Sequence, residues 1–167
     1  IPGIDIAVEE GERFEFGTTH AEILFIPGHT RGHIAYWFPE SAALFCGDTL
    51  FAMGCGRMFE GTAPQMWSSL SKLRALPAAT RVYCGHEYTL ANLRFAQAVE
   101  PGNQDLAVYS RQAAALRQAG EPTLPSTIGT EKRINPFLRC RLDDVRKAAE
   151  RHAGRSLPTP ASVFAAV

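Results

Sequence analysis

Several things are scarce in this sequence, and each scarcity closes off a class of protein. No apolar run approaches the roughly 18 residues that a membrane-crossing helix needs. There is no surplus of positive charge: 17 Lys and Arg balance 17 Asp and Glu over 167 residues. A protein that grips nucleic acid through its phosphates shows a basic excess or stripe, and neither is present. Cysteine is sparse, and Cys46, Cys55, Cys84 and Cys140 include no C-x-x-C pair. They spell neither a zinc ribbon nor a thioredoxin-like motif, and reduced thiols in a cytoplasmic protein are expected. The chain opens on Ile1-Pro2-Gly3 with no Met, no basic leader and no long apolar stretch. No signal peptide is read there, and an N-terminus further upstream is expected.

What is present suits a folded domain. Hydrophobic residues make up 46% and charged residues 20%, a balance that buries a core and does not match a disordered segment. The length fits one compact domain, or one with a small annex. As far as Tyr88 the chain reads as short strands closed by turn formers. Residues 13–16 alternate; residues 21–26, 33–38, 42–46 and 81–84 are apolar or aromatic runs. A Gly-rich loop, Gly54-Cys55-Gly56, lies among them, with Gly61 beyond. Pro64 suits the first turn of a helix whose apolar stripe is Met66, Leu70 and Leu73.

From Thr89 on the reading is helical, with no strand. Thr89 is the expected cap of a helix bearing Leu90, Leu93 and Val99. Asn103 is the expected cap of the next, which carries Leu106, Tyr109, Ala113 and Leu116 and ends at Gly120. Residues 121–130 read as a loop. The last clear helix begins at Asp143 and Asp144 and ends at Arg151 and His152, a polarity that complements the helix dipole. The organisation is therefore a β-rich part over residues 1–88 and a helical part over residues 89–167, with no internal repeat.

The chemistry gathers at strand ends. His29, Asp48 and His86 each follow a glycine, and they stand 19 and 38 residues apart. Glycine beside a strand end lets a side chain project from a rigid sheet edge into a shared cleft. Those separations are too long for one local motif but suit neighbouring strands. Imidazole and carboxylate are the usual ligands of zinc and similar hydrolytic metals. Any one of the three could be a plain turn residue or a satisfied core histidine; the threefold repetition of the pattern favours a shared site. The other histidines read differently. His20 precedes a strand and is expected to be solvated. His152 sits where a helix C-terminus favours a cation. His33 lies four residues after His29 with Gly32 between, which argues against a helical H-x-x-x-H pair and leaves a supporting role.

At these residues a resemblance becomes plain. Pro27-Gly28-His29-Thr30-Arg31-Gly32-His33 resembles the G-H-T-x-G-H segment of the metallo-β-lactamase-fold hydrolases. Phe45-Cys46-Gly47-Asp48-Thr49-Leu50-Phe51 is similar to their strand ending in a bridging Asp, and Val82-Tyr83-Cys84-Gly85-His86-Glu87-Tyr88-Thr89 to the segment with their last metal His. Gly54-Cys55-Gly56-Arg57-Met58-Phe59-Glu60-Gly61-Thr62 and the late Asn135-Pro136-Phe137-Leu138-Arg139 narrow the match to glyoxalase II, the hydroxyacylglutathione hydrolases, in bacterial form. The resemblance covers essentially the whole chain.

What the resemblance implies is an α/β fold: the second half of a four-layer αββα sandwich followed by a helical C-terminal domain that contributes to substrate binding. It implies His29 in a first metal site, Asp48 bridging two metals and acting in catalysis, and His86 in the second site. The cofactors would be two divalent ions, zinc with iron or manganese as alternatives. A hydroxide held between them would attack the thioester of S-D-lactoylglutathione and release D-lactate and glutathione, in methylglyoxal detoxification. Arg57 falls where the family places a basic residue for glutathione, Tyr88 could hydrogen-bond its backbone, and Phe59 stands where some relatives have Tyr. Cys55 reads as structural rather than nucleophilic.

Two departures matter. The family's T-H-x-H-x-D-H motif is absent, and the chain stops at Val167, short of the family's basic tail. The chain is thus expected to be the C-terminal portion of the enzyme and inactive alone. A persulfide dioxygenase of the same fold and a non-catalytic assembly module are the alternatives. The implied partner is a small glutathione thioester, with no nucleic acid and no membrane.

Overall fold

The computed structural model describes residues 3–167. Ile1 and Pro2, where the expected upstream continuation would join, lie outside the described residues. The strands are β1 (Arg13–Phe16), β2 (Thr19–Phe25), β3 (Ile34–Phe38), β4 (Ala43–Gly47), β5 (Leu50–Phe51), β6 (Gly54–Cys55), β7 (Arg81–Cys84) and β8 (Ser126–Thr127). The helices are α1 (Ala63–Arg74), α2 (Thr89–Val99), α3 (Gln104–Gln118), α4 (Ile128–Ile134), α5 (Asp143–Ala153) and α6 (Pro160–Ala166), with a 3-10 turn at Pro136–Leu138.

Six strands make one mixed sheet in the order β1-β2-β3-β4-β7-β8, and β5 and β6 form a separate hairpin. Neighbours are antiparallel except β4 and β7. A parallel pair needs a long crossover, and here the crossover holds the β5–β6 hairpin and α1. The loop that carries the candidate site is therefore the connection the parallel pair requires.

The two faces of the sheet differ. Ala35, Leu44, Cys46 and Val82 pack against Met66, Leu70 and Leu73 of α1, Val145 and Ala149 of α5, and Val163 and Phe164 of α6. The opposite face carries a row of rings. Phe14 meets Tyr36 at 6.0 Å, Phe38 meets Phe45 at 5.8 Å, and Phe45 stacks on Tyr83 at 4.9 Å. A smaller cluster, Met53, Leu93, Ala96, Leu106 and Ile134, joins the hairpin tip to α2, α3 and α4.

Helix starts follow local chemistry. Thr62 caps α1 in a reciprocal box with Gln65, and Pro64 occupies the first turn. Asn103 caps α3 by accepting from the Leu106 amide. At α2 the structure departs from the sequence reading: Tyr88 holds the cap position and Thr89 is the first helical residue. The Thr89 hydroxyl is taken instead by Thr123, 2.7 Å away. Leu90, expected on the buried face of α2, is 40% exposed.

Other differences are physical too. His20 lies inside β2, paired with Glu15, rather than in a solvated turn. Its Nδ1 is 2.7 Å from Arg13 Nη2, and only 13% of its side chain is exposed. The segment read as a loop over 121–130 holds β8 and the start of α4, so the part after Thr89 is not free of strand. Ser126 pairs with Val82 and Thr127 with Arg81; two residues are too few to carry a periodic signal. A further helix, α6, follows α5, opened by a Thr159–Ser162 box and Pro160.

Candidate metal centre and substrate cleft

β4 ends at Gly47 and β7 at Cys84, and the parallel pairing sets those ends side by side. Asp48 and His86 leave the sheet there, and His29 reaches the same point from the turn after β2. His29 Nε2 and His86 Nε2 each lie 3.4 Å from Asp48 Oδ2. The three residues singled out by the strand–glycine pattern are thus brought together around one carboxylate oxygen.

Glycine makes the close approach possible. A Cβ on Gly56 would collide with the Asp48 carbonyl oxygen, and one on Gly85 with Asp48 Oδ1. One loop is therefore pressed against the Asp48 main chain and another against its carboxylate, leaving Oδ2 as the free corner.

His29 is oriented from behind. Its Nδ1 lies 2.8 Å from the Arg57 carbonyl oxygen, to which it donates. In the neutral ring the proton is then on Nδ1 and the Nε2 lone pair faces Asp48. Two acceptors facing each other at 3.4 Å have no proton between them, an arrangement that a cation satisfies. A backbone carbonyl behind a metal-binding imidazole is the usual way its tautomer is fixed. The donor set, two imidazoles and a carboxylate, suits a divalent ion of the zinc type. Among the described residues these donors form an arc on Asp48, and no group of three or more His, Cys, Asp or Glu side chains is set closely enough to hold a metal ion as it stands.

The arc sits in a cleft of about 660 Å³ lined in part by Phe51, Cys55, Arg57, Phe59, Tyr88 and Asn92. Arg57, Phe59 and Tyr88, all singled out from the sequence, therefore share one wall system with the three donors. Phe59 is 69% exposed, and its ring lies 5.1 Å from that of His29. Tyr88 is stacked on His86 at 5.1 Å. His33, as read, stands behind: its Nε2 is 3.2 Å from the Cys46 carbonyl. His152 lies in the last turn of α5, outside this cleft.

Burial pushes the Cys55 thiol up to about 12, with Cys140 adding to the effect. Such a thiol is protonated at neutral pH and is a poor nucleophile. The loop carrying His86 is pinned by its neighbour. Hydrogen bonds from the Thr123 hydroxyl and amide hold the Glu87 carboxyl below the usual range, with Arg117 assisting.

Sequence reasoning missed Phe51, Ala91 and Asn92 as cleft residues. Phe51 stands three residues past Asp48, and Asn92 one helical turn past Tyr88; those offsets from residues already singled out were the available signal.

Comparison with known proteins places this geometry. Residues 1–86 match the metallo-beta-lactamase superfamily, and residues 87–167 match the hydroxyacylglutathione hydrolase C-terminus. A hydroxyacylglutathione hydrolase of Alkalilimnicola ehrlichii is 56% identical over all of this chain and 65% of its own length. One from Rhodospirillum rubrum is 54% identical over 99% of this chain and 63% of its own. The chain thus spans less than two thirds of these relatives. Among solved structures, ETHE1 from Myxococcus xanthus superposes with a TM-score of 0.59 at 26% identity, covering 99% of this chain and 59% of that one. TTHA1623, solved in a di-iron-bound form, gives a TM-score of 0.51 at 32% identity over 78% of this chain and 47% of its own. No helix among the described residues is long and apolar enough to cross a membrane. With a superfamily match over more than half its residues, this chain belongs to the metallo-β-lactamase superfamily, and its remaining residues match the hydroxyacylglutathione hydrolase C-terminus.

Proposed function

We propose that this chain carries part of the metal centre and the thiol-side substrate wall of a glutathione thioesterase acting on S-D-lactoylglutathione or a close 2-hydroxyacyl relative. The observation that carries the reading is the convergence of His29 and His86 on Asp48 Oδ2 inside the cleft walled by Arg57, Phe59 and Tyr88. Relatives named hydroxyacylglutathione hydrolase support the substrate class.

His29 and Asp48 would hold one divalent ion and Asp48 and His86 a second, zinc being the first candidate and iron or manganese the others. When bound, such ions supply a water acidic enough to attack at neutral pH and a Lewis acid for the carbonyl. The reaction adds the water oxygen to the acyl carbon, breaks the C–S bond and leaves the proton on the glutathione sulfur. The chain's own residues orient the parts. The Arg57 carbonyl keeps the His29 proton on Nδ1. The Arg57 guanidinium can grip a glutathione carboxylate bidentately. Phe59, beside the His29 ring, offers an apolar or stacking contact, and Tyr88, stacked on His86, can hydrogen-bond the glutathione backbone. Cys55, held protonated, stays out of the chemistry. We read residues 1–88 as the metal-bearing part and 89–167 as the part that supports substrate binding. Four free cysteines fit a reducing compartment such as the cytoplasm.

A catalytic zinc normally takes three protein ligands, and three donors shared between two ions leave each short. The 167 residues alone are therefore expected to show no turnover. The test is to assay S-D-lactoylglutathione hydrolysis, with metal analysis, for residues 1–167 and for the same residues joined behind the preceding segment of the Alkalilimnicola ehrlichii relative. Turnover and two bound metals only in the joined protein support the proposal. Inactivity of the joined, folded, metal-loaded protein overturns it.

A further inference from the structure

The segment Asn135-Pro136-Phe137-Leu138-Arg139 has no place in the cleft, yet Asn135 is wholly buried, and so is Glu131 one turn before it on α4. Both side chains serve the backbone of the β5–β6 hairpin. Asn135 Nδ2 donates to the Phe51 carbonyl at 3.1 Å and the Gly54 carbonyl at 3.0 Å. It also reaches Glu131 Oε2 at 2.9 Å. That same oxygen accepts from the Met53 amide at 2.8 Å, while Glu131 Oε1 is bonded to the Ser126 hydroxyl. From α2, Asn92 Nδ2 donates to the Ala52 carbonyl at 2.9 Å. Each of the four residues from Phe51 to Gly54 is thus held at its backbone by a helix side chain.

The hairpin needs holding. Met53 has a φ of 54°, a left-handed conformation that a non-glycine residue keeps only where its surroundings impose it. Its side chain is buried among Leu93, Ala96, Leu106 and Ile134. Both ends of the hairpin run directly into the candidate metal centre. Asp48 lies two residues before β5 and Arg57 two residues after β6. The Gly56 amide donates to the Thr49 carbonyl at 3.1 Å, closing the two ends together. The Arg57 carbonyl then receives His29 Nδ1.

We infer that Glu131 and Asn135 are positioning residues: by fixing the left-handed turn at Met53 they place the Arg57 carbonyl, and through it decide which nitrogen of His29 bears the proton and which faces Asp48. A displacement of this carbonyl by about 1 Å takes the contact out of hydrogen-bonding range. The inference rests on the proposed function only in taking His29 Nε2 as a metal donor.

The experiment is ¹⁵N NMR of the His29 ring in the full, metal-free 167-residue chain, at one fixed pH where the ring is neutral. The parent is compared with Asn135→Ala, Glu131→Ala and Glu131→Gln, and with Leu157→Ala as a control. Leu157 is fully buried in the connection between α5 and α6 and makes none of the hydrogen bonds to the hairpin backbone described above, so its truncation tests whether destabilisation alone moves the tautomer. The parent should show the Nδ1–H tautomer. Asn135→Ala and Glu131→Ala should shift it to a mixture. Glu131→Gln retains an acceptor for the Met53 amide and should restore it, and Leu157→Ala should leave it unchanged. A folded Asn135→Ala or Glu131→Ala with the parental tautomer overturns the inference, as does an equal shift in Leu157→Ala. If the alanine variants do not fold, hydrogen exchange of the parent decides. Met53 and Gly56 amides should exchange in the same slow class as the Asn135 amide at the end of α4. A Met53 amide exchanging freely beside a protected α4 refutes the coupling. None of these readouts depends on thioester turnover, so a failure of the proposed function leaves them intact.

Discussion

Arg57 has two ends that can act separately. Its carbonyl accepts from His29 Nδ1, while its exposed side chain is free for an anion in the cleft. Substitution by alanine keeps the first and deletes the second. In the joined, active protein Arg57→Ala should therefore raise KM for the glutathione thioester more than it lowers kcat. A charge-assisted hydrogen bond contributes about 1.5–3 kcal/mol, on the order of ten- to a hundredfold in KM. Steady-state kinetics check this; an unchanged KM with a collapsed kcat would move the guanidinium into the chemistry. Cys55 makes the opposite prediction. It lines the cleft, but burial lifts its thiol to about 12, so about one molecule in ten thousand is thiolate at pH 8. Cys55→Ser should leave turnover within about threefold, and iodoacetamide should label Cys55 no faster than it unfolds. At this scale the sequence was informative where chemistry repeats. The glycine before each of His29, Asp48 and His86 marked a backbone that must come close to a neighbour, and Gly85 does meet Asp48. The orientation of His29 was not legible, because its partner is a carbonyl 28 residues away, and any residue type offers one.

At the scale of elements, legibility followed capping chemistry and length. Pro64 and the stripe of Met66, Leu70 and Leu73 announce α1, and the structure builds the helix there, adding a Thr62–Gln65 capping box. Thr62→Ala should cost about 1 kcal/mol, a thermal shift of a few degrees by calorimetry. Helix α4 was passed over because its seven residues, IGTEKRI, sit in a stretch dominated by Thr and Pro, and its stability comes from tertiary contacts. The most telling of these is Glu131. Burial raises its carboxyl above the ordinary 4.5, against the pull of Ser126, Met53 and Asn135. A carboxyl that holds its proton more tightly folded than unfolded supports the fold at low pH. That support is lost as pH rises from the unfolded value through the higher folded one. Glu131→Gln has no proton to lose and retains the hydrogen-bonding shape. Its melting temperature relative to the parent should therefore rise as the pH climbs above the ordinary carboxylate value, until the higher folded value is passed. A flat difference across that range would mean that the native state carries Glu131 charged at little cost.

On the scale of the whole molecule, the sheet is finished on one side only. Helices α1, α5 and α6 cover the face bearing Leu44 and Val82, and the other bears the rings of Phe14, Phe16, Tyr36, Phe38, Phe45 and Tyr83 around an apolar hollow of about 620 Å³. Phe16 is 66% and Phe45 46% exposed. Residues 33–38 read in the sequence as an aromatic-rich strand, and in the structure alternation places Tyr36 and Phe38 on one side and Trp37 on the other. What alternation cannot say is whether a face is covered, since a strand buried on both sides and one half open carry similar aromatic content. An exposed aromatic surface of this extent is expected to associate. The edge strand beside it carries Arg13 and Glu15, paired at 3.2 Å and both exposed. In the 167-residue chain the face should bind 1-anilinonaphthalene-8-sulfonate in the native state, and the chain should associate as its concentration rises. The double substitution Phe16→Lys with Phe45→Thr removes two of the most exposed rings and leaves the helix-covered core in place. Native dye fluorescence and the apparent mass by light scattering should both fall, while far-ultraviolet circular dichroism stays at the parental level. Undiminished fluorescence in a folded double variant would place the accessible apolar surface elsewhere and return this face to an ordinary, solvated role.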